Sequence, residues 1–183
     1  SRRFRQAAGT RPNQEARQEV RIEEFNALPR DEAEAALRVC ADVDDWVRTL
    51  VDERPYPDVR SLVTAAEHLA DDWTVDDVEK ALAHHPRIGE RAAGSDASAG
   101  HSAREQAGVD PADTDLAERL REGNRRYEER FGRIYLVRAK GRTGAEMLAL
   151  LEARLQNDPE RELVVTTQQL REIAVLRVEA LFT

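Results

Sequence analysis

Beyond residue 20, apolar side chains recur every three or four positions through nearly the whole 183-residue chain, a period that selects helices. Asp31 precedes Glu32-Ala33-Glu34-Ala35-Ala36-Leu37, a run of strong helix formers ending near Cys40. Asp42 is placed to cap a short helix with Val43, Trp46, Val47 and Leu50 on one face. Pro55 and Pro57 break the chain, and Asp58 opens a helix whose Val59, Leu62, Val63, Ala66 and Leu69 share a side. Thr74-Val75-Asp76-Asp77 reads as a capping box. The helix behind it, carrying Val75, Val78 and Leu82, must stop before Pro86, since the residue ahead of a proline resists the α region. A long helix is expected from about Asp113, with Leu116, Leu120, Tyr127 and Phe131 along it. Two more follow at about 143–156 and 159–182, split by Asn157-Asp158-Pro159 with proline at the first helical position. Ile134-Tyr135-Leu136-Val137 is the one β-like run. The expected fold is all-α, a single-domain bundle of about eight helices over residues 22–183.

Residues 1–21 stand apart. They hold Arg2, Arg3, Arg5, Arg11, Arg17 and Arg21 against Glu15 and Glu19, with no apolar period, and read as a basic, disordered arm. A nucleic-acid-binding arm is the functional alternative. The net charge of −8, from 28 Lys and Arg against 36 Asp and Glu, argues against nucleic acid as a partner. No apolar run reaches the ~18 residues that a membrane span needs. Cys40, the sole cysteine, can form neither an internal disulfide nor a thiolate zinc site. No apolar signal-peptide core follows the N-terminus, and the chain closes on Leu181-Phe182-Thr183 without a peroxisomal tripeptide. The expectation is a soluble, cytoplasmic protein.

The main interruption is residues 86–101, where Pro86, Gly89, Gly94 and Gly100 with Ser95, Asp96 and Ser98 mark a long loop. Ordered loops of that length are usually functional or mobile. Ser102-Ala103-Arg104-Glu105 is a second capping box, opening a short helix that Gly108 stops. The four histidines are His68, His84, His85 and His101. Adjacent His84 and His85 point about 100° apart on a helix and cannot easily share an ion, and no H-E-x-x-H is present, so no metal is expected. His85 lies where Pro86 ends a helix, and a helix C-terminus favours imidazolium, which would suit a general acid near pH 7. A plain capping role for His85 is the competing reading, as it is for Glu105 at the third position of its box.

Five ordered strings favour the functional reading. His85-Pro86-Arg87-Ile88-Gly89-Glu90 resembles the H-P-R-I-G-E signature of the OHCU decarboxylases, enzymes that act on 2-oxo-4-hydroxy-4-carboxy-5-ureidoimidazoline, made from urate. Phe25-Asn26-Ala27-Leu28-Pro29 is similar to that family's F-N-x-L-P, and Ser102–Gln106 to its S-x-x-E-Q. Asn124–Gly132 is similar to N-x-x-Y-x-x-R-F-G, and Asn157-Asp158-Pro159-Glu160 to N-D-P-E. The resemblance spans about residues 22–178. It departs from the family pattern at Phe131-Gly132-Arg133-Ile134-Tyr135 and at Arg138-Ala139-Lys140-Gly141, where Arg133 and Arg138 add charge beside the expected pocket.

The resemblance implies a decarboxylase that yields (S)-allantoin from a small-molecule substrate without cofactor. It implies His85 as acid/base with Glu105 beside it. Pro86, Ser102, Ala103, Arg104, Glu105 and Gln106, together with Tyr135, Leu136, Val137, Arg138 and Ala139, would hold the substrate. It also implies a homodimer. The last two helices carry more apolar residues than one buried face needs, with Val164 and Leu176 set apart from Val165 and Val175 as a second stripe on the final helix.

Overall fold

The structure, a computed structural model, describes residues 21–90 and 105–183. These form eight α-helices: α1 (Ile22–Ala27), α2 (Arg30–Arg38), α3 (Asp44–Asp52), α4 (Val59–Ala70), α5 (Val75–Leu82), α6 (Thr114–Phe131), α7 (Gly144–Arg154) and α8 (Pro159–Ala180), with a 3-10 turn at Gln106–Gly108. The all-α expectation holds, and no strand occurs among the described residues. The basic arm through residue 20, most of the long loop and the first three residues of the Ser102 capping box lie outside the described residues.

Local chemistry explains most helix starts. Asp58 Oδ1 accepts from the Ser61 amide at 2.7 Å, and Asp158 Oδ1 from the Arg161 amide at 2.9 Å just ahead of Pro159. Thr74 and Asp77 form the expected reciprocal box, and Thr143 with Glu146 makes another. Two starts differ from expectation. Helix α2 begins at Arg30, one residue before Asp31, without a side-chain cap. Asp42 does not cap α3, which starts at Asp44 after extended Val43. Its carboxylate instead accepts from Arg38 and meets His84 Nε2, each at 3.0 Å, so side-chain partners outcompete the capping role.

Two cores form. Helices α1–α5 and the C-terminal half of α8 enclose Phe25, Leu37, Trp46, Leu50, Leu62 and Ile173. Trp46 packs edge-on against Trp73 at 5.8 Å. Asn26 ties α1 to the chain after α3 by exchanging two 2.8 Å hydrogen bonds with the Tyr56 backbone, and Arg54 donates to the carbonyls of Phe25 and Leu28. The second core, beneath α6 and α7, gathers Leu120, Tyr127, Tyr135, Met147 and Leu151. The β-like run crosses between the two as an unpaired strut whose side chains alternate: Leu136 enters the first core, while Tyr135 and Val137 enter the second.

A charged network sits in the second core. Arg154 Nε and Nη2 reach Glu162 Oε1 at 2.7 and 2.6 Å, and Tyr127 Oη donates to that oxygen at 2.6 Å. Asn157 Nδ2 donates to Glu162 Oε2, and Arg154 Nη1 to the Leu136 carbonyl at 2.7 Å. The guanidinium lies 4.8 Å from the Tyr135 ring centroid. Along α8, Glu162, Thr166, Leu170, Ile173, Ala174, Arg177 and Val178 face inward. On the outer side the stripes group differently from the sequence expectation. Val164 and Val175 are eleven residues apart and fall within about 20° of each other, as do Val165 and Leu176.

Candidate active site

The His85 loop is built at the seam between the cores. Helix α5 of the first core ends at Leu82, whose carbonyl accepts from the His85 amide at 3.1 Å. From there the chain is clamped at three points, two on α6 and one on the 3-10 turn. Arg87 pairs with Glu128, with Nη2 to Oε1 at 2.8 Å. Ile88 is buried in the second core, and its carbonyl accepts from Asn124 Nδ2 at 3.0 Å. Gly89 takes a left-handed φ of 88° that its lack of a Cβ permits, and its amide donates to Gln106 Oε1 at 3.0 Å. His85 is thus carried by a short segment fixed at both ends.

Glu105 is held from the opposite side. Arg177, only 2% exposed, donates from Nε to Glu105 Oε1 at 2.8 Å and from Nη2 to Oε2 at 3.1 Å. Its Nη1 reaches the Val39 carbonyl at 3.2 Å, which anchors the fork to the end of α2. The same guanidinium acts on His85. Burial first, then the positive charge of Arg177 and then His84, hold His85 well below its ordinary value, at about 3. This overturns the expectation of a raised pKa at a helix C-terminus, because desolvation and a buried like charge outweigh the helix dipole. His85 is a neutral imidazole at pH 7. Cys40 shares the neighbourhood, where burial pushes its thiol up to about 12 and keeps it protonated.

The other expected site residues have varied placements. Pro86 is partly buried beside His85. Gln106 spends its side-chain oxygen on the His85 loop. Tyr135 Oη donates to the Met147 carbonyl at 2.9 Å, inside the second core, so that side chain supports the strut. Leu136, Val137 and Ala139 are buried in the two cores. The Arg138 amide donates to Gln169 Oε1, and the Arg138 guanidinium pairs with Glu172 of α8 at 3.3 Å. Arg133 pairs with Glu79 of α5 at 3.1 Å, so both departures from the family pattern hold other helices. Ser102, Ala103 and Arg104 lie outside the described residues. Sequence reasoning missed Arg177. The signal was its register, for it falls on the stripe of Leu170, Ile173 and Ala174, where a charge needs a buried partner.

Two clefts lie away from His85: one of about 440 Å³ between α4 and α8, and one of about 550 Å³ lined by Arg126, Glu129, Arg130, Leu155 and Gln156. The chemistry points to the seam instead, where a neutral imidazole and a guanidinium-held carboxylate share one charged neighbourhood.

Comparison with known proteins bears on the family. A uric acid degradation bifunctional protein of Arabidopsis thaliana is 30% identical over 80% of this chain, which spans 46% of that protein's length. A 2-oxo-4-hydroxy-4-carboxy-5-ureidoimidazoline decarboxylase of Haloferax volcanii is 25% identical, covering 90% of this chain and 98% of that one. A crystal structure of OHCU decarboxylase in the presence of (S)-allantoin superposes with a TM-score of 0.65 at 27% identity, over 79% of this chain and 95% of the other. The family model for OHCU decarboxylase matches residues 26–179, which takes in α2 through α8, the His85 loop and Arg177, and the chain belongs to that family.

Proposed function

We propose that the protein decarboxylates 2-oxo-4-hydroxy-4-carboxy-5-ureidoimidazoline to (S)-allantoin in urate catabolism, with His85 moving the proton. The observation that carries this reading is a neutral His85, clamped to α6, in the field of the Arg177–Glu105 pair. In the reaction the bond from the hydroxyl-bearing carbon to the carboxylate breaks and carbon dioxide leaves. The electron pair passes into the adjacent ring C=N, so the substrate is its own electron sink. The nitrogen that receives the pair is protonated from solvent. The hydroxyl proton is lost as that group becomes the product carbonyl, and the ureido-bearing carbon gains a proton.

A neutral imidazole suits both transfers. His85 takes the hydroxyl proton as the carboxylate leaves, then returns it to the ureido-bearing carbon and ends neutral. Delivery to one face sets the (S) product. Glu105, held by Arg177, accepts hydrogen bonds from the ureido or ring N–H groups and orients the ring. The anionic substrate offsets part of the repulsion between Arg177 and imidazolium, which eases the first transfer. A tight grip on the carboxylate itself would not lower the barrier, because that charge is lost in the transition state. Pro86, beside His85, serves as a wall.

The test is circular dichroism of freshly made substrate mixed with the protein, before and after exhaustive dialysis against a chelator. Enantiospecific (S)-allantoin is expected in both. Racemic product at the uncatalysed rate would overturn the function, and loss of activity restored by zinc or manganese would overturn the cofactor-free mechanism. The working form is a cytoplasmic homodimer of ~41 kDa, supported by the outer apolar stripes of α8; the chain mass is 20.7 kDa. Among the described residues no helix is long and apolar enough to cross a membrane.

A further inference from the structure

The turn between α2 and α3 touches both halves of the seam. The Cys40 and Ala41 amides donate to the Leu37 carbonyl at 2.9 and 3.1 Å, and the Val43 amide donates to the Ala41 carbonyl at 3.0 Å. Cys40, Ala41 and Val43 are buried in the first core, so the turn cannot shift without disturbing that packing. At its start the Val39 carbonyl accepts from Nη1 of Arg177, whose Nε and Nη2 hold Glu105. At its end Asp42 Oδ2 lies 3.0 Å from Nε2 of His84, the residue just ahead of His85. Arg38 Nη1 donates to the other oxygen, Oδ1, at 3.0 Å and so fixes the half-buried carboxylate. His84 is exposed, yet its charge is among those that act on the His85 imidazole.

We propose that Asp42 is a positioning residue for the decarboxylation, latching the His85 segment through His84 to the same turn that anchors Arg177. The inference rests on the reaction proposed above and adds the element that sets the spacing of its two groups. Beyond His85 the segment is held by Arg87, Ile88 and Gly89. Ahead of it, the His84 and His85 amides donate to the Ala81 and Leu82 carbonyls, bonds that stay within the end of α5. The contact with Asp42 is what ties residue 84 to another element. An imidazole that takes a proton from one atom and returns it to another tolerates little displacement. A surface contact worth little to stability can therefore matter to rate.

Steady-state kinetics of (S)-allantoin formation, followed by circular dichroism beside melting curves, test this on wild type, D42A, H84A, D42A/H84A and H84Q. Each alanine variant should lower kcat about three- to tenfold, with KM within about twofold of wild type. Melting temperatures should stay within about 2 °C of wild type, which a purely structural loss would not allow. The double variant should be no slower than the slower single, because both changes remove one contact. H84Q, whose amide can reach the Asp42 carboxylate, should restore most of the rate. Wild-type kcat in D42A, losses that multiply in the double variant, or H84Q as slow as H84A would each overturn the latch while leaving the reaction standing. A wild-type protein that yields only racemate at the uncatalysed rate would overturn both.

Discussion

The first core is apolar except for Arg177, whereas the second closes around Arg154 and Glu162, and the two kinds of buried charge do different work. Glu162 is fully buried, yet Arg154, Tyr127 and Asn157 together satisfy both of its carboxylate oxygens. That network joins α6, α7 and α8 and holds the Leu136 carbonyl, so it fixes the strut between the cores. Arg177 instead reaches out of the apolar core to a partly exposed carboxylate and lowers the basicity of a neighbouring imidazole. A charge satisfied wholly inside a core is architecture; a charge aimed from a core toward the seam shapes chemistry.

The sharpest way to break this contrast is at Glu162. Replacing it with Leu leaves Arg154 buried without its counter-charge and should cost about 3–5 kcal/mol by denaturant unfolding. Replacing Arg154 with Met as well should recover much of that loss, as paired removal of buried ions often does. A single Glu162→Leu change costing under ~1 kcal/mol would show that the network does not hold the second core.

Asn124→Ala should come next, at about 1–3 kcal/mol, because it leaves the buried Ile88 carbonyl without its donor. Its larger signature is kinetic: kcat should fall while the melting curve stays cooperative, since the His85 loop loses a clamp. Full kcat would place the positioning of His85 elsewhere. His84→Ala should be the mildest, within about 0.5 kcal/mol, as the imidazole is exposed and its contact with Asp42 is a surface pair.

The pH dependence separates the two roles again. His85 has a folded value near 3, below the ordinary histidine range, so the unfolded chain binds more protons between that value and about 6.5. Stability therefore falls as pH drops through that window, and His85→Asn should flatten that part of the slope. In kinetics, the acidic limb of kcat/KM, which reports the free enzyme, should lie well below pH 6, with the kcat limb higher because the bound anion raises His85. A kcat/KM that rises as His85 becomes protonated would restore the general-acid reading.

The helices were legible because capping chemistry and apolar period are local. Thr74 with Asp77, Asp58, and Asp158 with Pro159 start their helices as expected. Asp42 misled because a carboxylate beside a helix start also attracts cations from other elements, here Arg38 and His84, and their positions are tertiary facts. The candidate site was legible through the strings around His85 and Glu105, but the packing role of several residues near them was not. Gln106 and Asn124 hold the His85 loop and Tyr135 holds the strut, and a sequence cannot separate a residue that touches substrate from one that holds its neighbour. The His85 pKa inverted for the same reason: the helix end is visible in sequence, while Arg177, 92 residues further on, is not.

The most direct test of the account is the enantiospecific assay on His85→Asn, which removes the proposed proton carrier, followed by circular dichroism alongside its melting curve. The account predicts that formation of optically active (S)-allantoin is lost while stability changes by no more than ~1 kcal/mol. Turnover near the wild-type rate, with the (S) product intact, would contradict it and move the proton transfer to another group.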